Sequence, residues 1–167
     1  MAIGTFISGR YTGSYNSGDV GITRQGYDLE VVPKQEMIDE SDAYGLTTLD
    51  WIIRGADAFL QWISREYKAG SLAAFWPYGL TLGTLITAAV PVGEQARNLA
   101  KAMVLNAVAN TPAAAAPASL TASKVLLAPN YNARLLFDSR LREVPVRVQL
   151  LPYESSPSTT LIFFSTT

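Results

Sequence analysis

The sequence predicts a mainly β chain of α+β type: a two-sheet β-sandwich or partly open β-barrel, with one flanking short α-helix and a long acidic loop. Three observations predict it. Val144, Val146, Val148 and Leu150 alternate with Pro145, Arg147, Gln149 and Leu151, the period-2 pattern of a half-buried strand. Several other short runs rich in Val, Ile, Thr and aromatics are separated by turn-prone joints. At 167 residues the chain suits one domain with a substantial core better than two small ones.

Residues 1–18 are rich in Gly, Ser, Thr and Tyr and read as a flexible arm or loose edge strand ahead of a single β-rich domain at 19–167. Over Asp19–Val32, Val20 and Ile22, then Tyr27, Leu29 and Val31, flank Arg24, Gln25 and Gly26, which predicts a hairpin. Residues 34–50 read as the acidic loop. Trp51–Tyr67 fits either period, and Gly55 with the aromatic and β-branched content favours strand.

Ala69–Trp76 reads as the short helix. Ala69–Gly93 holds no charge over 25 residues, more than the about 20 needed to cross a bilayer. Pro77, Pro91, Gly83 and the interspersed Ser and Thr break any continuous apolar helix, so no membrane span is expected. Gln95–Asn110 places Ala96, Leu99, Ala100, Met103, Val104, Ala107 and Val108 at helical spacing. The TPAAAAPAS run at 111–119 is a linker, SLTASKVLLAP a strand, and TTLIFFSTT a closing strand.

Thirteen basic and fourteen acidic residues leave a net charge of -1, which disfavours tight nucleic-acid binding. The 16% of charged residues, against roughly 25% in soluble chains, suggests a surface partly covered by partners. Asp28–Glu66 holds nine acids and three bases, whereas Arg97–Arg147 holds seven bases and two acids. Such regions can face each other between copies or lie on separate solvated faces.

The chain has neither Cys nor His, so Ser-His-Asp and Cys-His catalysis and the usual zinc ligand sets are excluded. Carboxylate pairs such as Asp39 with Asp42, or Asp57 with Glu66, fit solvated positions better than an acid-base pair. DESD at 39–42 lacks the spacing of a calcium loop, and the glycines of GRYTGSYNSG lack phosphate-loop spacing. Trp51, Trp62 and Trp76 lie in apolar neighbourhoods and are expected in the core. No enzyme activity, cofactor or metal is expected. The amino terminus has no secretory pattern, consistent with a protein retained in the cytosol.

In order, VGITRQGYDLEV at 20–31, DESDAYGLTTLDWIIRG at 39–55 and DAFLQWISREYKAGSLAAFWPYG at 57–79 resemble the tail tube proteins of tailed bacteriophages. The family's Gly-turn hairpin, acidic loop and "G, Thr, Leu-Asp, Ile, Gly" stretch correspond to Gly45, Thr47, Leu49, Asp50, Ile52 and Gly55, with a strand ending at Glu66. REVPVRVQLLPY at 142–153 is similar to the family's late strand, and the resemblance covers roughly 19–165. It implies strand, not helix, at Ala102–Val108.

The resemblance implies hexameric rings that stack into a tube for genome ejection. It also implies virion tail location after assembly in the host cytoplasm, and contacts with sheath, tape measure, baseplate and terminator proteins. DNA would pass transiently and without sequence specificity. Asp39, Glu40 and Asp42 are candidates to meet Arg140, Arg142 and Arg147 of a neighbour, so reversing Arg140 and Arg142 to Glu should block polymerisation. Asp28 and Glu30 are candidates to line the bore. The alternatives are a tail terminator, a type VI ring protein, or a β-barrel carrier of a small ligand.

Overall fold

A computed structural model of the chain describes residues 11–39, 48–78, 81–82, 85–86, 92–108, 119–132, 134, 143–153 and 162–166. The chain runs through β1 (Tyr11–Tyr15), β2 (Gly18–Asp19), β3 (Thr23–Asp39), β4 (Thr48–Ser64), α1 (Ala69–Phe75), β5 (Thr81–Leu82) and β6 (Leu85–Ile86). It continues through α2 (Ala96–Leu99), β7 (Lys101–Ala107), β8 (Ser119–Leu127), β9 (Val144–Leu150) and β10 (Ser165–Thr166). The fold is mainly β with a short flanking helix, as expected.

Eight strands form one sheet in the order β2-β1-β7-β8-β9-β4-β3, with β10 paired to β8, and every pairing is antiparallel. The sheet curls until its ends meet. Tyr27 of β3 presses its phenol ring end onto Gly13 of β1, where a Cβ would collide with the ring. One face of this sheet therefore encloses a single core, in which Tyr15, Leu60, Met103, Val125, Val148 and Leu150 are fully buried.

Strand β9 is the clearest case of pattern becoming packing. Its burial alternates strictly, with Val144, Val146, Val148 and Leu150 inward, because β4 and β8 pair with it on either side and one face meets the core. Helix α1 packs against β9, β1 and β2 and sends Ala74 and Phe75 into the core. Its approach to β2 requires glycine on both sides, since a Cβ on Gly70 would strike the Gly18 carbonyl.

Four expectations are corrected. Of the arm at 1–18, residues 1–10 lie outside the described residues, while Tyr11–Tyr15 is a paired strand with Tyr15 buried. The turn at Arg24–Gly26 is instead an irregularity inside β3, where the register shifts between Thr23 and Tyr27 and Gly26 takes φ 83°. The acidic loop is shorter than 34–50, because β3 extends to Asp39 and β4 begins at Thr48; 40–47 lies outside the described residues. The helical pattern from Gln95 ends after one turn at Leu99, and Lys101–Ala107 is strand, as the resemblance implied. Met103 and Leu105 are buried by two neighbouring strands, so tertiary pairing overrides a spacing that fits both periods.

Candidate assembly surface

Strands β3 and β4 are each 17 residues long, about three times the usual strand, and pair with each other over their whole length. Only Ala58–Ser64 of β4 also pairs with β9. Beyond Val31 and Ala58 the hairpin continues as a two-stranded arm with no third strand among the described residues. The outer edge of β3 has no strand partner there either, so a long row of backbone donors and acceptors faces outward.

Pairing fixes the faces of this arm. Tyr27, Leu29 and Val31 oppose Trp62, Leu60 and Ala58 on the core side, and the same side continues through Gln35 opposite Ile53 and Met37 opposite Trp51. Val31 is 48% exposed, Met37 69%, Trp51 57% and Ile53 68%. The opposite side holds Glu36 with Ile52 and Ile38 with Asp50, and there Val32, Ile38 and Ile52 are each more than two-fifths exposed. Trp51 is thus on the arm and not in the core as expected, whereas Trp62 is buried and Trp76 half-buried.

Charges on the outer face are matched within the chain. Arg147 reaches Glu30 at 2.8 Å while its guanidinium lies over the Phe59 ring, 4.7 Å from the centroid. Lys34 pairs with Asp57 at 2.9 Å, Arg54 with Glu36, and Glu143 with both Arg24 (3.1 Å) and Arg65 (3.4 Å). The Gln61 amide donates to Asp28 at 2.6 Å. Exposed pairs of this kind contribute about 0–1 kcal/mol each, so their main effect is to cancel charge along the hairpin.

The candidate residues therefore separate. Asp28 and Glu30 share the solvent-facing side of β3, each already engaged by a neighbour. Arg147 has an acidic partner in its own chain, Glu30, and both side chains keep part of their surface exposed. Asp39 ends β3, and Glu40, Asp42, Arg140 and Arg142 lie outside the described residues. Asp57 and Glu66 are engaged separately: Asp57 holds Lys34, while Glu66 accepts the Ile22 N–H at 3.4 Å. No cluster of three or more metal-ligating side chains occurs among the described residues.

Among the described residues, clefts indent the outside of the sheet. One lies beside Asp28, Gln61, Tyr131 and Arg147; another lies at the seam between Tyr11–Thr12 and Gly21–Tyr27. Among the described residues no helix is long and apolar enough to cross a membrane. No known family matches the chain, and comparison with curated proteins finds no match.

Proposed function

We propose that the chain is a structural subunit of a phage tail tube, joining copies of itself into hexameric rings that stack into a conduit for genome ejection. The observation that carries this reading is the outer edge of β3, a strand of 17 residues, which has no strand partner among the described residues. A long exposed edge invites uncontrolled pairing, and a ring removes the hazard by seating each edge against the next copy. The order of motifs shared with tail tube proteins supplies the ring geometry, the virion location and the other tail components as partners.

On this reading the protein performs no catalysis and needs no cofactor; contact between copies is the activity. Its charge cancellation favours passage of DNA over capture, because few unmatched cations would hold phosphates on the hairpin. The experiment is electron microscopy of concentrated protein, paired with hydrogen exchange over 27–38 before and after assembly. Rings or tubes are expected, with amides of β3 becoming protected on assembly. A chain that remains monomeric at every concentration, with β3 equally protected throughout, sinks the reading.

A further inference from the structure

We infer that the β3–β4 arm is held on both faces at once by two different neighbouring copies, so that one hairpin supplies two distinct self-contacts. This rests on the assembly reading above and adds the number and position of the contacts. A two-stranded ribbon that merely extends into solvent, or that lies over one partner, needs at most one apolar face. This arm exposes large apolar side chains on both, with Val31, Met37, Trp51 and Ile53 on one and Val32, Ile38 and Ile52, set among paired charges, on the other. A β layer that is apolar on both sides fits between two other layers.

Several observations identify the occupants as further copies. From their exposures, the seven side chains present on the order of 700 Å² together, about two-thirds of it on the Trp51 face, so the two contacts are one larger and one smaller patch that the β3 edge joins. The core-side stripe continues the face on which this chain packs its own strands, so another copy can offer it the same kind of surface. The β3 edge beside both stripes, without a strand partner among the described residues, matches a strand edge, not a helix or a lipid. Lys34 and Arg54, the described cations of the arm, are already paired with Asp57 and Glu36, which gives an anionic partner little to bind.

The two faces also differ in kind. The Trp51 face carries Met37, Trp51 and Ile53 with Gln35 and no charged residue, whereas Ile38 and Ile52 sit beside Glu36, Arg54 and Asp50. Two unlike faces on one hairpin make unlike contacts. Such contacts propagate an assembly and do not close it as a symmetric dimer.

The test places the photo-reactive residue p-benzoylphenylalanine at position 37 or at position 52, in a mixture of light and heavy-isotope chains at assembling concentration. Both positions should give mixed-isotope cross-links, and the linked peptides should form two non-overlapping sets. In parallel, Met37→Glu with Trp51→Glu, and separately Ile38→Glu with Ile52→Glu, should each raise the assembly concentration at least about tenfold while the monomer keeps its circular dichroism spectrum. Cross-links from only one position, or one shared set of peptides, overturn the two-neighbour inference. Tubes that form without cross-links from either position overturn it too, and leave the assembly reading standing. Neither tubes nor cross-links removes both, and capture of the arm by phosphatidylcholine–phosphatidylglycerol vesicles instead assigns it to a bilayer.

Discussion

Ser64 has no exposed surface, and its hydroxyl accepts the Trp62 indole N–H at 3.0 Å in the core. Ser64→Ala keeps the volume nearly constant but strands a buried donor, so chemical denaturation should show a loss of about 1–3 kcal/mol. An unchanged midpoint would mean that Trp62 finds another acceptor. Tyrosines provide the pH response. Burial pushes the Tyr27 phenol up to about 12, with the nearby charge of Asp19 adding to the rise and the close Gly13 backbone opposing it. Burial raises Tyr15 as well, and its hydroxyl donates to the Val125 carbonyl at 3.1 Å.

Both phenols therefore keep their protons in the folded chain at a pH where the unfolded chain releases them. Their contribution to stability is complete below the unfolded value of about 10 and is lost as pH climbs through the folded values. Thermal melts should hold steady to about pH 10 and then fall, and Tyr27→Phe should make that fall shallower. A Tyr27→Phe profile parallel to wild type across that range would remove Tyr27 from the account.

At the scale of elements, α1 depends on close backbone approach at Gly18 and Gly70. Gly70→Ala should separate the helix from β2 and cost about 1–3 kcal/mol in denaturation, despite the better helix propensity of Ala. Strand β9 was legible because its neighbours lie in the same chain, so burial follows the alternation of its own residues. Arg24, Gln25 and Gly26 were not, since a polar triplet with a glycine suits a turn and an irregular strand equally. Trp51 was misplaced for a different reason. An apolar residue announces that it will be covered, without saying whether its own chain does the covering.

For the whole molecule, the described ion pairs of the hairpin close within one subunit while its exposed residues are largely apolar. Assembly should therefore change little between about 0.1 and 0.5 M sodium chloride and strengthen in ammonium sulfate. Light scattering against salt type decides this. Marked weakening in sodium chloride would instead favour the contact expected between Asp39, Glu40 and Asp42 and the basic residues Arg140 and Arg142. The candidate surface was only partly legible: much of the ribbon formed by β3 and β4 falls in 34–50, where acidic and turn-prone residues suit a loop, because a strand covered on neither side leaves no strict alternation.

The register shift opposite Lys34 and Gln35 has a consequence for engineering and for natural variation. Arg54 is the supernumerary residue there, and it switches the numbering parity of β4, so that odd positions 51 and 53 inherit the side held by even positions 56, 58 and 60. Deleting Arg54 would restore simple alternation and still leave Ile53 opposite Gln35 and Trp51 opposite Met37, so both faces survive while the local bend is lost. A change of one codon would then re-aim the ribbon without altering which side chains it carries on either side.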